Sequence, residues 1–203
     1  MILYNKIDFA KIRKVECERK NVMNENKKLK RLIIAALMTA LTTVGTMIIR
    51  IPTPTMGYIH PGDGFVLLSG LLLGPVWGSL AAGLGSALSD LFGGYMVYVI
   101  PTFIIKALTA LVGVLVFRVI SRKNTVCGLI VGGIAGEAVM VLGYFVFEIF
   151  MLAFTASGNL SASSIAAGAA ASVAGIVPNI IQGVFGVILS TVLYPLLRKL
   201  SEE

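Results

Sequence analysis

A few ionisable side chains interrupt an otherwise apolar sequence, and these are the residues that could do chemistry. Lys106 lies within an apolar run, and Glu137 and Glu148 lie within the next one. A charge at the middle of a bilayer costs about 2.5–3.5 kcal/mol on insertion scales, so such a residue is a candidate functional site by default. The chemistry that these groups suit is recognition of a polar solute through ion pairs and hydrogen bonds.

Helical spacing gathers further polar groups around these charges. On a helix, Tyr144 and Glu148 each fall within about 20° of Glu137, which gives one polar, aromatic-bearing face. Asn179 and Gln182 stand at i and i+3 in the last apolar run, so they also share a face. Asn179, Glu148 and the lysine come to comparable depths on three helices, which predicts a pocket open at one side rather than a pore.

Each of these residues also has an interpretation without a ligand. Lys106 and Glu148 could neutralise each other as a structural pair, and Asn179 with Gln182 could join neighbouring helices by hydrogen bonds. Glu137 is equally consistent with a protonated carboxyl group hydrogen-bonded between helices and with a functional role. Asp63 could simply cap the helix that follows it.

The composition indicates an all-α integral membrane protein. The chain has 203 residues, of which 57% are hydrophobic and 13% charged, with a mean hydropathy of +0.90. A bilayer crossing needs about 20 apolar residues, so this length allows about six transmembrane helices and no large soluble domain. Hydropathy predicts six spans at Leu32–Ile49, Phe65–Leu73, Ser79–Phe92, Val99–Ile120, Val126–Phe154 and Ala171–Leu197.

Two regions follow from this pattern. Residues 1–29 are a basic, polar N-terminal segment that we expect to be cytoplasmic and partly disordered, and residues 30–200 are the six-helix transmembrane domain that would contain the predicted pocket. Ten of the 17 Lys and Arg residues precede residue 32, and most of the others flank the fourth-to-fifth connection or the C-terminus. Basic residues mark cytoplasmic loops, so both termini are expected in the cytoplasm. The charge is explained by this bias and does not indicate nucleic acid.

The single histidine, His60, and Tyr58 lie in the loop "PTPTMGYIHPGDG" after the first span, on the predicted outer side. A metal site would need partner ligands that the sequence does not supply, so we expect no metal. Both cysteines, Cys17 and Cys127, fall on the predicted inner side, which is reducing in most cells, so we expect no disulfide.

The first span carries Ala36 and Ala40, a small-x-x-x-small pair that lets another helix approach closely. The chain has no G-x-x-x-x-G-K-[ST] phosphate-binding loop. Uphill transport by this protein would therefore need an ion gradient or an ATPase on another subunit.

The sequence resembles the substrate-binding S components of energy-coupling factor (ECF) vitamin transporters over about residues 30–200. The residues that carry the resemblance are "AALMTA" in the first span, the segment "GYIHPGDGFVLLSGLLLGPVWGSLAAGLGSALSDLFGGY" and "PTFIIKALTALVGVL". They are most similar to the branch associated with riboflavin, pyridoxine and hydroxymethylpyrimidine.

The resemblance implies a subunit of the bacterial plasma membrane that binds a vitamin from outside and has no cofactor of its own. A transmembrane coupling subunit (EcfT-like) and two ATPases would energise import, and the S component would topple in the membrane to present its site inward. Ala36 and Ala40 would face the coupling subunit, and "PTPTMGYIHPGD" would be the lid. The expected substrate-binding residues are Tyr58, His60, Lys106, Tyr144, Glu148, Asn179 and Gln182. The substrate expected is of the pyridoxine or hydroxymethylpyrimidine class, with riboflavin also compatible.

Two functions of other classes compete with this interpretation. The main alternative is a self-sufficient proton- or ion-coupled carrier, with Glu137 as the proton site. An intramembrane enzyme is disfavoured, because a metalloprotease needs paired histidines and a serine hydrolase needs a well-placed histidine base. His60 on an outer loop supplies neither.

Overall fold

The computed structural model describes residues 9–202, which form six α-helices and one small hairpin. The helices are α1 (Phe9–Ile48), α2 (Asp63–Leu73), α3 (Pro75–Gly93), α4 (Val99–Ile120), α5 (Thr125–Ser157) and α6 (Ala162–Glu202). Strands β1 (Ile51–Pro52) and β2 (Tyr58–Ile59) pair antiparallel, with Ile51 opposite Ile59, and a short 3₁₀ helix (Met96–Tyr98) precedes α4. Apart from this hairpin between α1 and α2, the described fold is all-helical.

Within residues 9–202, four segments are long and apolar enough to cross a membrane: Val22–Ile48, Met96–Ile120, Thr125–Ser157 and Ala162–Arg198. Helix α2 is apolar but has only 11 residues, so it is about 16 Å long and covers about half of a hydrocarbon core. The structure thus supports an all-α membrane fold, whereas six crossings and cytoplasmic termini stay predictions.

The chain divides into two compact units between Ile34 and Ala35. In the first unit, residues 9–34 are helical, and nearly all of the side chains described there are exposed. The second unit, from Ala35 onward, contains the remaining helices, the hairpin and every buried residue discussed below. Residues 9–29, which we expected to form a separate polar segment, lie within helix α1.

Helix boundaries agree with the predicted spans at some places and differ at others. Helix α4 begins and ends at the predicted residues. Helix α6 begins at Ala162, nine residues before the predicted Ala171. The connection between the predicted spans Phe65–Leu73 and Ser79–Phe92 is confined to Gly74, whose φ of 81° is left-handed, because α3 begins directly at Pro75. Proline suits the first position of a helix, because no intrahelical partner exists there for an N–H group.

Small residues bring α4 and α5 close together within the second unit. A Cβ atom added to Gly132 would lie 2.7 Å from the carbonyl oxygen of Gly113, and one added to Gly136 would lie 2.7 Å from that of Thr109. Such close approaches are typical of membrane helices, which associate through packing and not through exclusion of water. Helix α2 packs against α3, α4 and α6, so it occupies the interior of this bundle.

Large apolar side chains cover the outside of the helices. Val119 and Ile100 on α4, and Leu142 on α5, are more than 60% exposed. The buried core is small by comparison, and one part of it is the cluster of Tyr98, Ile105, Met140 and Tyr144. A surface of this kind fits a hydrocarbon solvent, in agreement with the composition.

Candidate substrate-binding pocket

A polar cavity lies where the segment between α1 and α2, residues 49–62, meets helices α1, α3, α4, α5 and α6. We call residues 49–62 the lid, which contains the whole predicted lid except Asp63, the first residue of α2. The cavity encloses about 420 Å³, including its open mouth. Among its lining residues are six of the seven predicted substrate-binding residues, namely Tyr58, His60, Tyr144, Glu148, Asn179 and Gln182.

Other lining residues escaped the sequence analysis. Thr46 comes from α1, Ser86 and Asp90 come from α3, and Tyr98 and Thr102 stand at the start of α4. Threonine and serine side chains are frequent inside membrane helices, so nothing in their spacing distinguishes these hydroxyl groups from ordinary packing contacts. Asp90 differs from these hydroxyl residues, because a carboxylate in an apolar run is a candidate functional residue by default and could have been singled out from the sequence.

Four hydrogen bonds hold the lid to the walls of the cavity. Thr55 donates from its hydroxyl to Glu148 Oε1 at 2.9 Å, and the Tyr98 hydroxyl donates to the Thr55 carbonyl at 2.8 Å. The Tyr58 hydroxyl donates to Asp90 Oδ1 at 2.6 Å, and the His60 backbone N–H donates to the Gln182 side chain at 2.9 Å. The lid is thus fastened to the cavity walls at Thr55, Tyr58 and His60.

The surroundings of the lid alter the acid–base behaviour of its two ionisable side chains. Burial lowers the pKa of His60 to about 3, and the charges of Lys106 and Arg50 act in the same direction. The His60 ring is therefore neutral at physiological pH, and its Nδ1 accepts a hydrogen bond from the Gly62 N–H at 3.1 Å. Burial and the neighbouring charge of Asp90 raise the pKa of Tyr58 far above its usual range, so Tyr58 stays a hydrogen-bond donor.

Several polar atoms in the cavity wall have no hydrogen-bond partner among the described residues. They are Glu148 Oε2, Thr46 Oγ1 and Ser86 Oγ, and all three are buried. Buried polar groups are nearly always paired, and an exception in a cavity wall indicates a water molecule or a ligand. With the rings of Tyr98 and Tyr144 in the same wall, the chemistry of the lining suits a flat polar molecule.

Lys106 is the predicted site residue that does not line the cavity. Its side chain has no exposed surface, and its Nζ atom lies 2.5 Å from Asp63 Oδ1. The lysine therefore pairs with Asp63, and the pairing with Glu148 that we considered is wrong. Asp63 makes no capping hydrogen bond at the start of α2, where Gly62 is the N-cap residue.

Glu137 lies away from this cavity. It lines a second, apolar groove of about 1030 Å³ between α5 and α6, together with residues such as Val141, Val184 and Val187. The side chain is 5% exposed, and neither carboxylate oxygen has a hydrogen-bond partner among the described residues. The polar face predicted for α5 is therefore divided between two sites, because Tyr144 and Glu148 line the cavity and Glu137 lines the apolar groove.

Ala36 and Ala40, the predicted docking pair, are both exposed on α1. The same helix contacts α3 through other residues, since the Thr43 hydroxyl donates to the Gly85 carbonyl at 2.9 Å. The alanine pair is thus free to meet another helix. In the part of the chain that the structure describes, no three His, Cys, Asp or Glu side chains are grouped as metal ligands would be.

Comparison with known proteins places this architecture in a family. The family model for the S component of ECF-type riboflavin transporters matches residues 26–199. This chain belongs to that S-component family. It is a membrane protein and a substrate-binding subunit of an ECF transporter, and the family is one of transport components, not of enzymes.

Two individual proteins are similar to this S component. An uncharacterized protein of Pyrococcus woesei, described as lying in a gap 3' region, is 33% identical over 158 residues, which are 77% of this chain and 94% of that protein. The solved S component of a bacterial ECF transporter superimposes with a TM-score of 0.58 at 20% identity, over 87% of this chain and 99% of that one. The second similarity establishes the fold alone.

Proposed function

We propose that this S component captures a water-soluble vitamin with a heteroaromatic ring at the outer side of the membrane. The observation that carries the proposal is the set of unpartnered polar atoms, Glu148 Oε2, Thr46 Oγ1 and Ser86 Oγ, in a cavity that also contains two tyrosine rings. Aromatic rings stack on a flat ligand, and hydroxyl and carboxylate oxygens take up the hydrogen bonds of its edge.

Riboflavin is the first candidate. The name of the matching family supports it, and so does the chemistry of the cavity. The side-chain amide of Asn179 offers a paired donor and acceptor, which suits the alternating carbonyl and N–H groups on one edge of a flavin ring. The hydroxyl groups of Thr46 and Ser86 suit a polyol chain.

A pyridoxine- or hydroxymethylpyrimidine-type compound is the second candidate. The cavity is narrow, because most of its space belongs to the open mouth, and a narrow cavity favours the smaller ligand. Glu148 would then bind an exocyclic hydroxyl or amino group of the ring. Both candidates use the same carboxylate and the same tyrosine walls.

Import would require partners. We propose that a transmembrane coupling subunit approaches the exposed Ala36 and Ala40 and that two ATPases supply the energy, so the S component itself needs no cofactor. Loading with vitamin and toppling in the membrane would then deliver the site to the cytoplasmic side. The competing carrier function would instead draw on a proton gradient through Glu137.

Titration of the emptied protein in detergent with riboflavin, pyridoxine, hydroxymethylpyrimidine and thiamin tests the binding proposal. Saturable binding of one compound at equimolar ratio is expected. If none of these compounds binds, the vitamin proposal is wrong. Uptake assays in cells distinguish the energy source: import should stop when the ATPases are inactivated and should persist when an uncoupler dissipates the proton gradient at constant ATP. The reverse pattern would favour the carrier.

A further inference from the structure

A chain of buried polar contacts begins below the cavity and ends at the lid. Its base is the ion pair between Lys106 on α4 and Asp63 at the first turn of α2, and both side chains are completely buried. Two charges in such surroundings persist only when they are paired and hydrogen-bonded. The other oxygen, Asp63 Oδ2, accepts a hydrogen bond from Gln182 Nε2 at 2.7 Å.

The contact with Asp63 fixes the orientation of the Gln182 amide. A carboxylate only accepts hydrogen bonds, so the amide nitrogen must face Asp63 and the amide oxygen must face away. That oxygen accepts the backbone N–H of His60 at 2.9 Å. The lid is thereby joined to the ion pair through a single side chain, and bonds to a charged group are about twice as strong as neutral ones.

Lys106 also supports a second wall of the cavity. Its Nζ atom lies 5.2 Å from the centre of the Tyr144 ring, within the range of a cation–π interaction. Gln182 and Tyr144 both line the cavity, whereas Asp63 and Lys106 do not. The ion pair can therefore influence a ligand only through the residues that it holds.

We propose that Asp63 and Lys106 are positioning residues for vitamin capture, which hold the lid closed through Gln182 and His60. This inference rests on the proposed function of the cavity. Without the pair, Gln182 loses the partner that orients it, and the lid loses its fastening near α2. A bound vitamin should then leave faster, although no residue that touches it has changed.

The double variant Asp63→Leu with Lys106→Met tests the inference, because replacing a buried ion pair by apolar residues of similar volume is often neutral or stabilising. Two quantities are measured: hydrogen exchange of the His60 amide in the vitamin-free protein, and the dissociation rate of the vitamin. Both should rise about tenfold, which is the effect of losing one hydrogen bond to a charged group. The thermal stability of the protein should stay near that of the wild type.

The exposed ion pair of Lys28 and Glu25 on α1, at 2.9 Å, provides a matched control. The variant Glu25→Leu with Lys28→Met should change neither quantity. If the variant Asp63→Leu with Lys106→Met keeps the wild-type rates of His60 amide exchange and of vitamin dissociation, the two residues only neutralise each other. The inference is then overturned.

A second variant covers the case in which the double variant does not fold. Gln182→Met leaves the ion pair in place and removes both amide contacts, so it must also accelerate exchange of the His60 amide; unchanged exchange would overturn the inference. Because exchange is measured without vitamin, it tests the lid contact even if the wild-type protein binds none of the vitamins. In that case the proposed function fails separately.

Discussion

Glu148 has one carboxylate oxygen occupied by the lid and one directed to no partner. Oε1 accepts a hydrogen bond from the Thr55 hydroxyl, and Oε2 is buried without a hydrogen-bond partner. We predict that Glu148→Gln raises the dissociation constant of the vitamin about tenfold, since a bond to a charged group is replaced by a weaker neutral one. Titration of the purified variant measures this change.

Glu137→Gln is the matched control, because it replaces a buried carboxyl group by an amide in the same helix but outside the cavity. Its vitamin affinity should equal that of the wild type. Equal losses in both variants would mean that the affinity reports on the stability of α5 and not on contact with the vitamin. Loss of uptake with intact binding in Glu137→Gln would support the proton-coupled carrier.

His60 makes a pH-dependent contribution to stability. Its pKa is about 3 in the folded protein and about 6.5 in an unfolded chain. Between these two pH values the unfolded state binds more protons than the folded state does. The contribution of His60 to the free energy of unfolding is therefore complete above about pH 6.5 and is lost as the pH falls toward 3. The slope is at most about 1.4 kcal/mol per pH unit.

Thermal unfolding in detergent between about pH 7 and pH 4 checks this linkage. His60→Asn is the variant to compare, since its side-chain oxygen can still accept the Gly62 N–H. The melting temperature of the wild type should fall more steeply on acidification than that of the variant. If the melting temperatures of the two proteins fall in parallel with pH, the pKa of His60 is not lowered by folding, and this account of the ring is wrong.

Among the helices, α1 presents the surface proposed for the coupling subunit. Ala36 and Ala40 are exposed, and a bulky residue between them and a partner helix would prevent close approach. We predict that Ala36→Trp abolishes co-purification with the coupling subunit and vitamin uptake, with the dissociation constant of the vitamin unchanged.

Ala170→Trp on α6 introduces the same bulk at another exposed alanine, and it should leave assembly intact. If Ala36→Trp weakens vitamin binding as strongly as it weakens assembly, the docking surface and the pocket are not separate. If both tryptophan variants assemble normally, α1 is not the docking helix.

The helices also show what hydropathy can and cannot predict. Helix α4 is apolar over nearly its whole length, with Lys106 as the charge in its interior, so its boundaries follow from composition. The first turns of α6 are rich in Ala and Ser, "ASSIAAGAA", and alanine favours a helix without raising hydropathy as strongly as leucine does. The predicted span therefore missed the first nine residues. The two-residue strands of the lid are too short to have any periodicity.

Several residues that line the pocket could be predicted from the sequence, but the partner of Lys106 could not. Spacing alone brought Tyr144 with Glu148, and Asn179 with Gln182, to common helix faces, and the structure places all four in one cavity. The pairing of Lys106 with Asp63 joins residues that are 43 positions apart, and it depends on how α2 and α4 pack. Asp63 before an aliphatic run and Lys106 within another were visible in the sequence, but spacing alone does not show which carboxylate the lysine meets.

For the whole molecule, orientation in the membrane is a prediction with a direct test. Basic residues place Cys127 on the cytoplasmic side and the loop around Asn159 on the outer side. Cys127 is exposed in the structure. In a Cys17→Ser background, a membrane-impermeant maleimide should label Cys127 only after cell lysis. The variant Asn159→Cys with Cys127→Ser, in the same background, should be labelled in intact cells.

Labelling of Cys127 in intact cells would reverse the orientation and put the lid on the cytoplasmic side. Capture of a vitamin from outside would then be impossible in this state. Labelling of both positions from the same side would contradict the number of crossings between them.

The capture of a vitamin by this chain alone is tested most directly by what it retains on purification. The protein is purified in mild detergent without partners, its small molecules are released and identified by mass spectrometry, and the emptied protein is titrated with the compound found. We predict an equimolar heteroaromatic vitamin, a flavin or a pyridoxine- or pyrimidine-type compound, that rebinds tightly. An empty protein that binds no flavin, pyridoxine, pyrimidine or thiamin compound would contradict the proposal.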